Sequence, residues 1–437
     1  MTPEGDGTTT TTGGTVITRN ARVGAIAGVL VASLALAGCG REDEGGEGVS
    51  KDGEGGTISL GTITDLTGPF AGVGEPFTAG QAAFWEDVND AGGIDGWKVD
   101  VTKHVKDSGY DPAVHAELFN EIKDEVLAIG QSLGTAHTNA ILEDATADKI
   151  IVGPASLGSN WIWDEAAIQV GTSYCAEAMN AVDYAVEQGA KSIAVVHLPG
   201  DYGDDAMVGA RIAAEANDVE FTDIETGPVA AGDDQAAAVR AVVQADPDVL
   251  IVAASPQELG AVMGGAFQQG WQGQVIGSIP TWNIALVADD SPVKDLITSA
   301  YMQATSFPTW DADVPGFEAM RAAAGDQAPN DWFAIGYASG YVMKAILEKA
   351  IEEAGDDGPT REDVYNAAQE LTSVDSQGTL PEGTGNYAGE PNEQAVRVTQ
   401  LNKVDPDASG KISVAVEPFV GPTAEGYEFT EPCYEMK

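Results

Sequence analysis

The chain has 437 residues, of which 43% are hydrophobic, and this length suits two domains better than a single core. Its 69 acidic and 21 basic residues give a formal net charge of -48 at pH 7. That balance argues against nucleic acid as a partner, since phosphate binding needs clustered Lys and Arg, and against attraction to anionic lipid headgroups. The acids are scattered rather than gathered at ligand spacings, which favours a solvated acidic surface over a metal or cation site.

The first 38 residues have the composition of an export signal. Arg19 and Arg22 precede an apolar run over residues 23–36, which is too short to span a membrane and is followed by small residues. We therefore expect residues 1–38 to be a signal peptide and the mature protein to be exported.

The end of this segment reads Leu36-Ala37-Gly38-Cys39 and resembles the lipobox of bacterial lipoproteins. The resemblance implies cleavage before Cys39, a lipid on its thiol, and anchoring to the outer face of the cytoplasmic membrane. The alternative is an ordinary cleaved signal with an incidental cysteine. Residues 39–56 are rich in Gly, Glu and Asp and predict a flexible acidic tether.

From Thr57 onward, short apolar runs alternate with amphipathic helical stretches. Strands are predicted in two groups, at 58–63, 99–105, 126–129 and 150–152, and then at 192–198, 219–224, 249–253 and 274–277. This alternation predicts an α/β fold with two doubly wound parallel-sheet lobes. Ligands of open α/β sheets bind at the carboxyl ends of the strands, so two facing lobes predict a cleft for a small molecule.

The C-terminal third contains one strong helical pattern, over residues 331–352, whose apolar stripe we interpret as core. Two more strands are predicted near 396–401 and 412–416. Cys175 and Cys433 are the cysteines that remain beside Cys39, and outside the cell an even count suggests a disulfide, worth roughly 4–5 kcal/mol on the chain-entropy model. Two unpaired thiols are the alternative, and two cysteines are too few for a metal site.

Several motifs together resemble the periplasmic-binding-protein type I family, in particular the branched-chain amino acid (Leu/Ile/Val-type) substrate-binding proteins of ABC importers. They are Thr67-Gly68-Pro69 after the first strand, Ala91-Gly92-Gly93-Ile94 after the first helix, Gly153-Pro154-Ala155-Ser156, Asp201-Tyr202-Gly203, and Tyr337-Ala338. The resemblance implies two lobes joined by a three-strand hinge, at about 57–172 plus 303–375 and about 173–302 plus 376–437. It further implies a monomer without cofactor that closes around a solute and meets membrane permease subunits.

The resemblance also assigns the ligand-binding positions by motif. They are Thr67, Val73, Gly134, Thr135, Ala155, Ser156, Leu157, Tyr202, Ser255, Ile279 and Trp282. In the family, the loop that holds Gly134 and Thr135 offers donors to the ligand carboxylate, and a tyrosine at the position of Tyr202 covers the ligand. The family often has Thr where Leu157 stands.

One departure from the family bears on the ligand. Amino-acid binders carry a Glu for the ligand ammonium in the loop that here spans residues 277–282, and this loop has no acid. A desolvated ammonium without a carboxylate is costly. Either Asp65 or Glu258 takes that role, or the solute is an amide, a urea or an aromatic acid rather than a branched-chain amino acid.

Three tryptophans are candidates for stacking on a planar or cationic ligand. They are Trp282 and, with a weaker case, Trp161 and Trp163. The alternative is that they only pack loops.

Two other functions share features with this sequence. Gly130-Gln131-Ser132-Leu133-Gly134 is a G-x-S-x-G after a strand, as in serine hydrolases, but the last histidine is His197, far from the C-terminal position that such a triad needs. A ligand-sensing receptor subunit would use the same cleft, and residue chemistry does not separate it from transport. We therefore expect a lipid-anchored, non-enzymatic solute-binding protein with no metal site.

Overall fold

The computed structural model describes residues 48–52, 55–227 and 234–435. The predicted signal peptide, the lipidation site Cys39 and most of the expected tether lie outside the described residues. Within the range expected to be a tether, residues 49–52 form a strand that pairs with residues 55–58, and Val49 is buried there.

The first sheet is built around a central strand, β2. Its strands are β1 (Val49–Asp52), β2 (Gly55–Thr64), β3 (Trp97–Asp107), β4 (Ala128–Leu133) and β5 (Val152–Ala155). Strands β3 and β4 flank β2, and β5 lies beyond β4, all in parallel, whereas β1 is antiparallel to the start of β2.

The second sheet has seven strands in the order β12-β11-β10-β9-β8-β6-β7. They are β6 (Ser192–His197), β7 (Glu220–Glu225), β8 (Val249–Ala253), β9 (Gln274–Gly277), β10 (Tyr301–Thr305), β11 (Thr399–Val404) and β12 (Ile412–Phe419). The first five are parallel, and β11 and β12 extend the sheet in antiparallel pairing from β10. The predicted α/β fold with parallel sheets is confirmed.

Thirteen helices are seen in the described part of the chain. They are α1 (Ala71–Asp90), α2 (Pro112–Ile122), α3 (Thr135–Ala147), α4 (Tyr174–Glu187), α5 (Tyr202–Ala216), α6 (Ala236–Ala245), α7 (Pro256–Gln268), α8 (Lys294–Ala300), α9 (Pro315–Ala324), α10 (Asp331–Ala354), α11 (Arg361–Gln369), α12 (Pro391–Gln394) and α13 (Pro422–Gly426). None of these described helices combines the length and apolarity needed to cross a membrane.

The local sequence explains where these elements lie. Every residue of β4 and of β8 is buried, as expected for parallel strands covered by helices on both faces. Helix α2 begins where the Asp111 carboxylate accepts hydrogen bonds from the backbone of residues 113 and 114. Helix α7 begins with a capping box, in which Ser255 and Glu258 each bind the other's backbone N–H.

Helix α10 packs closely against α1 because glycines stand at the crossing. A Cβ on Gly80 would lie 2.0 Å from the Phe333 carbonyl oxygen, and one on Gly336 would lie 2.1 Å from the Phe77 oxygen. The predicted stripe on residues 331–352 is thus mostly core, as interpreted, although two of its residues also reach the cavity described below.

The chain passes three times between the two sheets. It leaves the first sheet after β5, returns after β10 to lay α10 against α1, and goes back to the second sheet with β11. The expected lobe boundary between residues 302 and 303 falls inside β10, whose five residues all belong to the second sheet. Local patterns could not place this boundary, because a crossover strand has no sequence signature of its own.

The C-terminal tail is held by a disulfide between Cys175 in α4 and Cys433. The Cys433 N–H also donates to the Ser159 hydroxyl, 2.9 Å away in the loop that follows β5. The tail therefore contacts both the loop after β5 of the first sheet and α4, which packs against α5, β8 and β10 of the second half.

Candidate functional site

A cavity of about 40 Å³ lies where the carboxyl ends of the two sets of parallel strands meet. Eight of the predicted ligand-binding residues line it, namely Val73, Gly134, Thr135, Ala155, Ser156, Leu157, Tyr202 and Ile279. They come from α1, from the loops after β4 and β5 in the first sheet, and from the loops after β6 and β9 in the second. The structure thus brings together most of the residues that the motifs selected.

Three predicted residues lie outside this lining, each because its side chain has other partners. The Thr67 hydroxyl donates to the Asp107 carboxylate at 2.8 Å, and Ser255 caps α7. The Trp282 ring is buried in the core of the second sheet, nearly parallel to the Tyr301 ring at 6.1 Å.

The remaining lining residues were not predicted. They are Phe70, Phe77, Tyr110, Leu133, Pro154, Val170, Tyr174, Pro280, Phe307, Trp332 and Ile335. Phe70, Tyr174 and Trp332 stand at the start of a helix, which is a signal that sequence reasoning can use. Ile335 carries no such signal, since it lies beyond the first turn of α10, in the stripe that also faces α1.

The polar end of the cavity is the N-terminus of α3. Gly134 precedes it with φ of 101°, and a Cβ there would lie 2.3 Å from the His137 ring, so this position requires glycine. The Thr135 and Ser156 side chains are 1% and 6% exposed, and neither hydroxyl oxygen has a hydrogen-bond partner within the described residues. Buried hydroxyls are normally satisfied, so these two mark a place for a ligand.

Aromatic rings form another part of the cavity wall. The Tyr202 ring lies 4.7 Å from Tyr174 and 6.4 Å from Phe70, measured between ring centroids. The Tyr202 hydroxyl donates to the Ala254 carbonyl at 2.6 Å, so it already has a partner in the protein. Burial holds the pKa of Tyr202 well above its ordinary value, so the ring is neutral.

Asp65 and Glu258, the two acids considered as ammonium partners, are occupied elsewhere. The Asp65 carboxylate accepts from the backbone N–H groups of residues 67, 68 and 70, at 3.2, 2.5 and 2.8 Å. Glu258 accepts from the Ser255 N–H at 2.8 Å within the capping box of α7. Neither lines the cavity.

A third acid, Glu177, lies behind the loop that lacks one. Its Oε1 accepts from the Ser278 hydroxyl at 2.6 Å and from the Ile279 N–H at 3.3 Å. Burial raises its pKa to about 8, so the carboxyl group is mainly protonated at neutral pH. Glu177 therefore supports the loop as a neutral group and offers no negative charge to a ligand.

Trp161 and Trp163 also lie away from the cavity. The Trp161 indole N–H donates to the Ser156 carbonyl at 3.2 Å, which fixes the loop that presents Ser156. Trp163 is 38% exposed and borders a separate surface depression with Gln369 and Gln394.

The G-x-S-x-G serine does have a histidine neighbour, but the pair is sealed in the core. The Ser132 hydroxyl lies 3.0 Å from His115 Nε2 and 2.7 Å from the Thr138 hydroxyl, and all three residues are fully buried. Desolvation lowers the pKa of His115 to about 3, and its Nδ1 has no partner among the described residues. With no acid behind the histidine and no contact with the cavity, this pair holds β4 to α2 and α3.

Comparisons with known proteins agree with this geometry. A family model described as Periplasmic binding protein matches residues 57–410. A Leu/Ile/Val-binding protein homolog from Brucella melitensis is 26% identical over 302 residues, which cover 67% of this chain and 79% of the relative.

Two solved structures are similar over most of their length. A fatty acid ABC transporter substrate-binding protein from Thermomonospora curvata has a TM-score of 0.80 at 26% identity, covering 88% of this chain and 97% of the other. A branched-chain amino acid ABC transporter protein from Thermus thermophilus, with bound valine, has a TM-score of 0.70 at 18% identity, covering 84% and 98%. The second likeness shows the fold alone.

Proposed function

Because this chain belongs to the periplasmic binding protein family, whose members bind solutes and are not enzymes, we propose that it serves an ABC importer as its substrate-binding protein. In this proposal, the cavity captures a solute with an apolar body and a hydrogen-bond-accepting head group but no ammonium group. The amide and aromatic-acid classes expected from the sequence fit that description, and branched-chain amino acids do not.

The observation that carries the proposal is the pair of buried, unpartnered hydroxyls on Thr135 and Ser156. Each can donate one hydrogen bond to an oxygen of the solute, and leaving them unmade costs about 1–3 kcal/mol per group. The rest of the lining consists mainly of aromatic and aliphatic side chains, which supports an apolar body for the solute.

The absence of an ammonium group follows from charge. Among the described residues that line the cavity, none is an Asp or a Glu. Glu177 is mainly protonated, and the carboxylates of Asp65, Glu258 and Asp201, which stand outside the lining, already accept hydrogen bonds from donors of the protein. An ammonium group would therefore be desolvated without a carboxylate that is free to pair with it.

Capture requires the two halves of the molecule to move apart. A cavity of about 40 Å³ has room for only a few water molecules, which is less than a solute of the size of leucine needs. We propose that the two lobes, which follow the two sheets and their helices, open about the three crossovers and close around the solute.

The cellular setting completes the proposal. Export by residues 1–38, attachment through lipid on Cys39, and delivery of the solute by the monomer to permease subunits are supported by the lipobox resemblance and by the family. Incorporation of labelled fatty acid into the wild-type protein, but not into Cys39→Ala, would test the anchor.

Ligand binding to the purified protein tests the solute class. The panel contains two pairs that differ only in an amino group, leucine against 4-methylpentanoate and phenylalanine against 3-phenylpropanoate, together with 4-methylpentanamide as an uncharged analogue and urea as a small polar ligand. We expect at least one amine-free compound to raise the melting temperature, with about 2.7 kcal/mol of stabilisation at a hundredfold excess over Kd. Tighter binding of leucine or phenylalanine than of their amine-free partners would contradict the proposal.

A further inference from the structure

One carboxylate joins the two halves of the molecule beside the cavity. Asp201 lies in the loop after β6 of the second sheet and is 5% exposed. Its Oδ2 accepts from the Tyr110 hydroxyl at 2.8 Å, and its Oδ1 accepts from the Ala136 N–H at 3.2 Å. Oδ1 also accepts from the Tyr202 N–H at 2.7 Å, where Asp201 caps α5. Tyr110 follows β3 and Ala136 lies in α3, so both donors belong to elements that follow the first sheet.

The contact with Ala136 places this carboxylate at the N-terminus of α3. The free N–H groups and the dipole of a helix make its N-terminus a site for one negative charge. The same terminus presents the unpartnered Thr135 hydroxyl to the cavity, with the Ser156 hydroxyl beside it. The N-terminus of α3 would favour an anionic head group of a ligand, but it already binds the carboxylate of Asp201.

The surroundings provide no positive charge for a second anion. Among the described residues that line the cavity, none is Lys, Arg or His. His137, in the first turn of α3, is neutral because desolvation lowers its pKa, against the opposing effect of Asp201, Asp65 and Asp111. A ligand carboxylate would therefore meet the charge of Asp201 in a buried setting without compensation.

We infer that Asp201 is a specificity-determining residue, which supplies the negative charge at the N-terminus of α3 and so selects solutes with an uncharged polar head group. A carboxamide, an ester or an alcohol can accept hydrogen bonds from Thr135 and Ser156 without repulsion, whereas an ionised carboxylate is rejected while the halves are closed. This inference rests on the proposed function and sharpens it, because it decides between the amide and acid classes.

The first test compares an amide with its acid on the wild-type protein. At pH 8, where the acid is ionised, we expect 4-methylpentanamide to bind at least about tenfold more tightly than 4-methylpentanoate, measured by isothermal titration calorimetry. Equal or tighter binding of the carboxylate overturns the inference but leaves the proposed function standing. Binding of neither compound, with leucine bound instead, overturns the proposed function itself.

Variants then assign the preference to Asp201. Asp201→Asn keeps an acceptor for Ala136 and removes the charge, so the amide preference should fall at least about fivefold. Asp111→Asn is the matched control, since Asn still caps α2 while the substitution removes another negative charge that acts on His137. The preference of this variant for the amide over the acid should stay within about twofold of wild type. Tyr110→Phe removes one bond to Asp201 but keeps the charge, so both affinities should fall while the preference remains. An unchanged preference in Asp201→Asn, with the fold verified by circular dichroism, contradicts the assignment.

Discussion

Replacing Thr135 by Val should make the ligand-free protein more stable and the complex weaker. Val has the shape of Thr with a methyl group in place of the hydroxyl. The Thr135 hydroxyl is buried and has no partner within the described residues, so the closed form carries its desolvation cost of about 1–3 kcal/mol. Removing it should stabilise the closed form by that amount and raise the free energy of unfolding of the ligand-free protein by up to that amount, which corresponds to about 1 °C in melting temperature per kcal/mol for a chain of this length.

The affinity should change in the opposite direction. When the solute accepts a hydrogen bond from this hydroxyl, its loss costs about 1–1.4 kcal/mol, which raises Kd by a factor of about 5 to 10. Calorimetric titration with the best ligand of the panel measures the change in Kd, and thermal unfolding without ligand measures the change in stability. Opposite signs in one variant separate a ligand-binding hydroxyl from a merely structural one.

Thr138 is the matched control, one turn further along α3. Its hydroxyl is also fully buried, but it pairs with the Ser132 hydroxyl at 2.7 Å and donates to the Ser132 carbonyl at 3.1 Å. Thr138→Val should therefore destabilise the protein by about 1–3 kcal/mol and leave Kd within about twofold. The reasoning fails when Thr135→Val lowers the melting temperature and does not weaken binding.

Three further predictions concern residues around the site. Replacing both Cys175 and Cys433 by Ala should lower the free energy of unfolding by up to about 5 kcal/mol, because the bond spans 258 residues, and urea unfolding of the oxidised protein is the comparison. Glu177 binds its proton more tightly in the folded state, so the wild-type protein loses stability as pH rises from about 4.5 to about 8, whereas Glu177→Gln does not. The free energy of unfolding of Glu177→Gln should therefore rise relative to that of wild type by about 1.4 kcal/mol per pH unit in this range. Urea unfolding at pH 5, 7 and 9 measures this difference, and a difference that stays constant would contradict the prediction. Trp282→Phe should lower the free energy of unfolding by about 1–3 kcal/mol, because its ring packs in the core of the second sheet, and should leave Kd within about twofold of wild type. A large rise in Kd would indicate that Trp282 contacts the ligand.

The loops after β4 and β5 could be predicted because their function is local. Gly134 is required by a positive φ directly before a helix, and Ser156 follows a short, partly buried strand, so both features can be read within a few residues of sequence. The alternation of strands and helices likewise predicts parallel sheets from neighbouring segments alone. These are the parts of the site that the motifs located.

Residues that depend on distant contacts could not be predicted in the same way. Ile335 reaches the cavity only because α10 returns to pack on α1, and its stripe has the same periodicity as any core helix. The antiparallel pairing of β11 with β10 joins segments about 100 residues apart, which no local pattern specifies. Trp282 faces inward because the turn at residues 279–281 carries it into the second core, a direction that its position in a predicted binding loop does not reveal.

The return of α10 to α1 also fixes the order in which the molecule can be assembled during synthesis. The partner surface of α1 begins at Asp331, 241 residues after α1 ends at Asp90, and the intervening chain contains eight of the strands, β3 to β10. Until α10 has left the ribosome, the face of α1 that carries Phe77 and Phe84 is not covered by α10. The N-terminal half is therefore not an autonomous folding unit. The nascent chain remains incompletely folded almost until translation ends, and during that time chaperones can bind its exposed apolar surfaces.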